Sequence, residues 1–278
     1  MRTTDITVIK ANRSTEPYSE EKLRRSLLRT GVGIQLIDQV LSEMRAKLYN
    51  GIPTQKIHAL AFKLLKKHSQ QHAARYDLKK AIMSLGPSGF PFENYIAALF
   101  ESKGYQVKTK QLLPGVCVTH EIDVLAENEQ HVLLMECKYH NSKGTVSDVK
   151  VPLYIHSRYR DVLEVWNKSS QKKSLEGWVV TNTKFSSDAV KYGTCAGLHL
   201  LGWNFPEKKS LARLVDESAL YPVTCLTTLT NSEKIKILEA GIVLCKSLEN
   251  NKEVLQLALI SNARIPAVMN EVKELCKL

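Results

Sequence analysis

Two carboxylates and a lysine near the middle of the chain are the residues whose types and spacing could carry out chemistry. Asp123 lies in the segment HEIDVLA, and Glu136 and Lys138 lie in HVLLMECKY, with ENEQ between the two segments. Both segments have the alternating apolar pattern of β-strands, so we expect a hairpin. Packing alone gives a strand pair no reason to hold carboxylates beside an ammonium group, whereas a bound divalent cation does.

The register of this hairpin decides which side chains meet. If Ala126 is opposite His131, then Asp123 is opposite Leu134. Side chains alternate along a strand, so the polar residues share one face. The role of Glu121 on that face stays open. The expected polar face holds Glu121, Asp123, Glu136 and Lys138. The expected apolar face holds Ile122, Val124, Met135 and Cys137.

Magnesium or manganese is the cofactor that such a cluster suits. Magnesium binds one or two carboxylates and keeps several waters. A bound metal polarises a phosphodiester and lowers the pKa of an attacking water, while Lys138 orients that water or stabilises negative charge. The alternative is an exposed sheet face with paired charges, because an Asp followed by Glu-x-Lys occurs often by chance.

The segment HEIDVLAENEQHVLLMECKYH resembles the core of the Mrr-like branch of PD-(D/E)XK restriction endonucleases. The resemblance extends from about Gly86 to Pro206: GPSGFPFENYIAALFESKGYQV resembles the leading helix of that family, and GWVVTNTKFSSDAVKYGTCAGLHLLGW resembles its closing strand, helix and strand. It implies a mixed β-sheet with flanking helices and restriction-type hydrolysis of DNA phosphodiesters.

The same resemblance implies a role for each matching residue. Asp123 and Glu136 would bind the metal with help from the carbonyl of Cys137, Lys138 would be the catalytic lysine, and Glu93 on the leading helix would complete the site. Two other functions stay open: a non-cleaving DNA-binding or nucleotide-responsive regulator, and a structure-specific nuclease such as a junction resolvase. A double-strand cut needs two active sites, so a homodimer or higher oligomer also stays open.

The N-terminal segment reads VIKANRSTEPYSEEK, with GIPTQKIH further on. It resembles ATP-cone domains, the nucleotide-sensing modules of ribonucleotide reductases and their regulators, which begin V-x-K-R-(D/N)-G-R and continue with E-P-(F/Y) and a lysine. The resemblance implies ATP or dATP as a regulatory ligand. The residues it assigns to the nucleotide are Val8, Lys10, Glu16, Lys22 and Thr54.

Three residues depart from the ATP-cone pattern: Ala11, Arg13 and Ser14 stand where the family has Arg, Gly and Arg. Losing a phosphate-facing arginine and a turn glycine weakens nucleotide binding. A basic docking or dimerising surface without a nucleotide is therefore the alternative. The chain has no Walker A loop, so ATP would act as a regulator and not as a fuel.

Composition breaks divide the chain into three parts. We expect an α/β multidomain protein with a mostly helical ATP-cone-like domain at 1–86, a restriction-endonuclease-like domain at 87–208 and a small helical domain at 209–278. The middle part should run helix, three strands, helix, strand, helix, strand. In the last part, Glu239 to Ile242 resemble the turn of half a helix-hairpin-helix unit, and a structural cap for the middle domain is the alternative.

Charge and composition restrict the partners. The net charge is +11, and residues 1–90 hold 16 Lys and Arg against 7 Asp and Glu, so that segment attracts polyanions such as DNA or nucleotide phosphates. No apolar run is long enough for a membrane span, and MRTTDITVIK has no signal core, so we expect a cytoplasmic protein. The six cysteines include no CxxC pair, and Cys137 and His140 lack a second ligand pair, so reduced core thiols are expected and a structural zinc is not.

Overall fold

The computed structural model describes residues 6–10, 12–142, 144–169 and 172–277. Its N-terminal part is a small sheet covered by helices. The strands have the order β2-β1-β3, in which β1 is antiparallel to β2 and parallel to β3. The strands are β1 (Thr7–Ile9), β2 (Thr15–Pro17) and β3 (Ile52–Pro53). Ala11, the first departure from the ATP-cone pattern, lies outside the described residues.

The helices of this part bury the apolar stripes that their 3.6-residue period predicts. They are α1 (Glu20–Leu28), α2 (Ile34–Arg45), α3 (Thr54–His68), α4 (Gln70–Tyr76) and α5 (Leu78–Ile82). The Ser19 side chain caps α1, because it accepts a hydrogen bond from the Lys22 N–H at 3.2 Å. Leu27 takes the buried side of α1, whereas Leu28, one residue later, is 46% exposed.

The middle part is a mixed sheet with helices on both faces. Its strand order is β10-β8-β6-β5-β4, antiparallel from β4 to β6 and parallel from β6 to β10, and β7 and β9 form a separate pair. The strands are β4 (Gln106–Pro114), β5 (Thr119–Glu127), β6 (His131–Lys138), β7 (Val146–Ser147), β8 (Ser174–Thr181), β9 (Lys184–Phe185) and β10 (His199–Leu201). The helices are α6 (Phe90–Glu101), α7 (Lys150–Lys168) and α8 (Ser187–Cys195).

The predicted order of helices and strands in this part is confirmed, with the β7–β9 pair as an addition. One sheet face, including Val124, Leu133 and Met135, packs against α6. The other face, including Val132 and Leu134, packs against α7. These two helices therefore border the end of β6, where the candidate residues lie.

The C-terminal helices share a core with the sheet and with α5. They are α9 (Leu211–Ser218), α10 (Asn231–Glu239), α11 (Glu253–Leu257) and α12 (Ile265–Leu275). One continuous apolar cluster contains Ile82 of α5, Met135 of the sheet and Val272 of α12. This arrangement is that of a cap packed on the middle part.

Two local features mark the C-terminal part. Pro266 lies in the first turn of α12, where its missing N–H costs nothing. After Gly241, which has φ +82°, Leu244 forms a β-bridge with Pro222, and a short 3₁₀ helix (Lys246–Glu249) follows in place of the second α-helix that a helix-hairpin-helix resemblance implies.

Candidate active site

The β5–β6 register differs by two residues from the predicted one. Val124 is opposite Met135, so the next position, Asp123, falls beside Glu136 and not beside Leu134. A shift of two preserves the faces of a strand, whereas a shift of one would exchange them. The correction therefore brings the two candidate carboxylates closer together than the sequence suggested.

The turn explains the shift. The Asn128 side chain accepts hydrogen bonds from the N–H groups of Gln130 and His131 at 2.9 and 2.7 Å. The Asn128 N–H in turn donates to the carbonyl of His131 at 3.0 Å. This tight turn brings His131 opposite Asn128, whereas the predicted register put it opposite Ala126.

The alternation of faces is interrupted beside Asp123. Ile122 and Val124 were predicted to share a face, but Val124 packs on the α6 side and Ile122 packs with Leu134 on the α7 side. The β4–β5 pairing skips Lys110 and Asp123, and Lys110 has φ +53°. A left-handed residue disrupts the regular pleat of a strand, so the faces change where the candidate carboxylate lies.

The Asp123 carboxylate replaces a backbone acceptor at the end of the β5–β6 pairing. Its Oδ2 accepts a hydrogen bond from the Cys137 N–H at 2.7 Å. Burial and the negative charge of Glu136 raise the pKa of Asp123 to about 6. The nearby cations Lys138 and Arg158 oppose that rise.

Glu136 is held by two cations. Lys138 Nζ lies 2.6 Å from its Oε1, and Arg158 Nη1 lies 2.5 Å from its Oε2. The Glu136 side chain is only 12% exposed, so these charge-assisted contacts are partly shielded from water. Arg158 Nη2 also donates to the carbonyl of Glu121, whose side chain is exposed.

Arg158 is the site residue that the sequence reasoning missed. It lies on α7, 22 residues from Glu136 along the chain. A signal was present: Ile155 and Val162 are buried, and Arg158 stands between them at helical spacing, on the core-facing stripe. An arginine on such a stripe needs a buried partner.

Glu93 belongs to the same electrostatic cluster. It lies in the first turn of α6. Burial and then the charge of Asp123 raise the pKa of Glu93 above its ordinary value, and the ammonium group of Lys110 opposes this. The Lys110 Nζ lies 4.1 Å from the centre of the Phe90 ring. The structure thus brings α6, β4, β5, β6 and α7 together at one end of the sheet.

The donor atoms available to a metal are oxygens. Within the described ranges, no three or more His, Cys, Asp and Glu side chains come together as a metal-binding group. Asp123 and Glu136 carry carboxylates, and the buried side chain of Cys137, between Glu136 and Lys138, leaves only its backbone carbonyl as a candidate donor. This donor set suits a hard cation that retains water ligands.

The candidate nucleotide residues of the N-terminal part surround Glu16. Lys10 Nζ and Lys22 Nζ lie 2.7 and 3.1 Å from Glu16 Oε2, and their hydrogen bonds lower the pKa of Glu16. Val8 differs from the prediction: it is 3% exposed and lies in the central strand, opposite Glu16 and Ile52, so its side chain belongs to the core and not to a ligand site. Thr54 is the first residue of α3.

In the β1–β2 turn, a residue other than glycine adopts a positive φ. Arg13, at the position of that glycine, has φ +66°. The Asn12 side chain accepts hydrogen bonds from the N–H and hydroxyl of Ser14 at 3.1 and 2.8 Å, which stabilises the turn. Ile9 is opposite Pro53 in a parallel pair, so Lys10 and Thr54 leave their strands at the same end.

Two parts of the chain match known protein families. Residues 6–79 match the ATP cone domain, and residues 221–276 match the AF1548-like, C-terminal domain. An uncharacterized protein of Archaeoglobus fulgidus is 33% identical over 180 residues, which make up 64% of this chain and 98% of that protein. The chain belongs to the AF1548-like family.

A solved structure is also similar to this chain. The crystal structure of the protein of unknown function AF1548 has a TM-score of 0.55 and 31% sequence identity to this chain. The match covers 68% of this AF1548-like chain and 98% of that one. None of these AF1548-like relatives carries a name that states an activity, so the chemistry has to be argued from the residues of this chain.

Other expectations concern cysteines and membranes. Cys137, Cys225 and Cys245 are buried free thiols, whereas Cys117 and Cys195 are exposed, contrary to the expectation of core positions. In the part of the chain that the structure describes, no helix has the length and apolar character to cross a membrane.

Proposed function

We propose that this AF1548-like protein is a metal-dependent DNA endonuclease of the PD-(D/E)XK type, acting in the cytoplasm. The observation that carries the proposal is the convergence of Asp123, Glu136 and Lys138 at one end of a mixed sheet. Arg158 adds a second cation to the same carboxylate. Two partly buried carboxylates with two cations are an arrangement that recruits a metal and a phosphodiester together.

The residues present fit magnesium or manganese. Burial, and then the charge of Glu136, raise the pKa of Asp123, so its ionised form is disfavoured in the fold, and a bound divalent cation would stabilise that form. Asp123, Glu136 and the carbonyl of Cys137 would hold the ion. Bound there, the metal would polarise the phosphodiester and lower the pKa of a water.

The chain's own residues then orient the reactants. The Cys137 N–H fixes one oxygen of Asp123, so that carboxylate has a defined direction. Lys138 and Arg158 hold both oxygens of Glu136, and each cation can turn to the negative charge of a phosphodiester when Glu136 binds a metal. Glu93, with its raised pKa, is suited to accept a proton from the attacking water.

The nucleotide part of the proposal rests on the ATP-cone match at residues 6–79. ATP or dATP would bind beside Lys10, Glu16, Lys22 and Thr54 and regulate cleavage. The positive φ of Arg13, at the position where ATP cones have glycine, favours this over the alternative of a basic docking surface.

A non-cleaving DNA-binding regulator is the second candidate. The observation that favours it is the complete pairing of Glu136, whose two oxygens are already satisfied by Lys138 and Arg158 without any metal. Such a closed set of ion pairs is also what a purely structural site needs.

Measuring DNA binding and DNA cleavage in calcium and in magnesium separates the nuclease from the non-cleaving regulator. With a labelled DNA duplex, the nuclease should bind in calcium and cleave in magnesium or manganese. Asp123→Ala and Lys138→Ala should lower the cleavage rate at least about a hundredfold, because each removes transition-state stabilisation, while DNA affinity changes little. Glu129→Gln, at an exposed turn residue of the same hairpin, is the matched control and should cleave like the wild type.

Tight binding without cleavage in any of these ions would establish the regulator. Full activity of the Lys138→Ala protein would refute the site assignment. A comparison of linear, branched and methylated DNA then separates a restriction-type enzyme from a junction resolvase, which the same active site would serve.

A further inference from the structure

A two-stranded ribbon projects past the candidate active site. The pairing of β5 with β6 ends at Val124 and Met135, whereas the pairing of β5 with β4 continues to Thr119. Thr119 lies four residues beyond Asp123, a distance of about 13 Å at the rise of a β-strand. We call residues 112–121 the β4–β5 ribbon. It starts beside the candidate carboxylate and has no β6 partner along its length.

Helix α7 holds the β4–β5 ribbon in place. The Asp161 carboxylate accepts hydrogen bonds from the N–H groups of Cys117 and Val118 at 2.9 and 3.3 Å. His120 Nε2 lies 2.8 Å from Asp161 Oδ2. A Cβ atom at Gly115 would overlap with the same carboxylate, so only glycine fits there. The tip of the ribbon is therefore fastened to the helix.

The same helix connects the ribbon to the candidate site. Arg158, one turn before Asp161, donates to the carbonyl of Glu121 in the ribbon and to the carboxylate of Glu136. The position of the ribbon relative to the two candidate carboxylates is therefore fixed by α7. An element that is already ordered binds a partner without a further loss of conformational entropy.

The β4–β5 ribbon exposes large apolar side chains. Leu112, Val116 and Val118 are 69%, 51% and 60% exposed. In the described part of residues 87–208, the other exposed large hydrophobic residues also lie at this end of the sheet, at the starts of α6, β7 and α7: Phe90, Val146, Leu153 and Tyr154. Apolar surface that is concentrated around one site indicates a partner with apolar groups of its own.

The charges around the ribbon favour DNA as that partner. Glu121 is the one carboxylate in the ribbon sequence, and Lys108 and Lys110 precede the ribbon on β4. Both lysines are exposed, and none of the ion pairs that the described residues form includes either of them. A second copy of the chain has the same net charge of +11 and would be repelled, whereas a polyanion is attracted.

The shape of the ribbon selects a groove of the DNA. The major groove of B-form DNA is about 12 Å wide and admits a two-stranded β-ribbon, whereas the minor groove is only about 6 Å wide. The major groove also presents the methyl groups of thymine, which make apolar contacts with proteins. A ribbon tip in that groove reaches the edges of the bases while Asp123, where the ribbon starts, stays near the phosphate backbone.

We infer that the β4–β5 ribbon enters the major groove of duplex DNA beside the phosphodiester at the candidate active site. Leu112, Val116 and Val118 contact the edges of the bases, and Lys110 contacts a phosphate. This inference rests on the proposed nuclease function. It names the element that places duplex DNA on Asp123 and Glu136.

The test measures binding of the full chain to a labelled DNA duplex in calcium at several salt concentrations. The double variant Leu112→Ser, Val118→Ser should weaken binding about tenfold through the loss of apolar contacts, with an unchanged salt dependence. Lys110→Gln should weaken binding and lower the slope of the salt dependence by about one. Leu257→Ser, at a residue of α11 that is also 69% exposed, is the matched control and should bind like the wild type.

A duplex with uracil in place of thymine tests the choice of groove, because it lacks the methyl groups of the major groove. The wild type should bind this duplex about fourfold more weakly for each methyl group that the ribbon buries. The double variant Leu112→Ser, Val118→Ser should bind both duplexes equally. Equal binding of both duplexes by the wild type would overturn the assignment to the major groove.

The remaining outcomes separate the ribbon from the nuclease. Unchanged DNA affinity of the double variant Leu112→Ser, Val118→Ser would refute the ribbon, while cleavage in magnesium, measured separately, would still support the active site. If the wild type neither bound nor cleaved DNA, the proposed function and the inference would both fail. A change of the double variant from dimer to monomer in analytical ultracentrifugation, with DNA affinity unaltered, would make the ribbon an interface between two copies.

Discussion

At the residue scale, the two carboxylates of the candidate site differ in how many hydrogen-bond and ion-pair partners they have. Glu136 is satisfied by Lys138 and Arg158, whereas Asp123 has a single backbone donor from Cys137 and lies against the charge of Glu136. Of these two carboxylates, Asp123 is therefore the one that the metal-free fold stabilises less. This imbalance has a measurable consequence for stability.

Asp123→Asn should stabilise the metal-free protein at pH 8 and leave it unchanged near pH 4. The pKa of Asp123 is about 6 in the fold, against about 3.9 in an unfolded chain, so ionising it costs free energy of folding. That cost is absent below pH 4, grows between pH 4 and 6 and is complete above. After solvent screening we expect about 1 kcal/mol, measured by urea unfolding in EDTA.

The control for this prediction is Glu129→Gln, at an exposed turn residue. Its free energy of unfolding should equal that of the wild type at both pH values. If Asp123→Asn were less stable than the wild type at pH 8, the carboxylate would be a stabilising structural group, and the argument that it awaits a metal would fail.

At the element scale, the turn between β5 and β6 sets which residues meet. The sequence was sufficient for both strands, because their apolar alternation is clear, and for grouping Asp123 with Glu136. It was insufficient for the register. The register depends on two hydrogen bonds that the Asn128 side chain accepts from backbone N–H groups, and apolar alternation does not predict such bonds. It was also insufficient for the face change at Lys110, a residue type that rarely adopts positive φ.

Asn128→Ala should destabilise the hairpin by about 1 kcal/mol, because the N–H groups of Gln130 and His131 lose their acceptor. Asn128→Asp keeps an acceptor oxygen and is the matched control. Urea unfolding of the three proteins measures the effect. Equal stability of the Ala and Asp variants would show that the side chain does not hold the turn.

At the scale of the whole molecule, the C-terminal helices connect the ATP cone with the sheet. Lys66 of α3 donates to the carbonyl of Thr227 at 3.0 Å, and the Thr224 hydroxyl donates to the carbonyl of Ala81 at 2.7 Å. Arg75 of α4 donates to the carbonyl of Lys277 at 3.2 Å. The sequence predicted helices here, but contacts between residues about 150 positions apart cannot be read from periodicity.

Glu271→Ala should lower the free energy of unfolding by about 2 kcal/mol. Glu271 is 2% exposed, and its carboxylate accepts the N–H groups of Thr227 and Thr228 at 2.7 and 2.8 Å. Removing it leaves both donors without an acceptor. Glu274→Ala, one turn away and about half exposed, should change stability little in the same denaturation experiment. Equal effects of the two substitutions would contradict this account of the C-terminal core.

The central claim is that an active site formed by Asp123, Glu136 and Lys138 cleaves DNA. Supercoiled plasmid tests this claim most directly. Methylated and unmethylated plasmid should be incubated with the protein in the presence and absence of magnesium and ATP, beside the Lys138→Ala variant. We predict nicked or linear DNA only with magnesium and only with the wild type. Plasmid that stays intact in magnesium or manganese, with and without ATP, although the protein binds it tightly, would contradict the nuclease and favour the regulator.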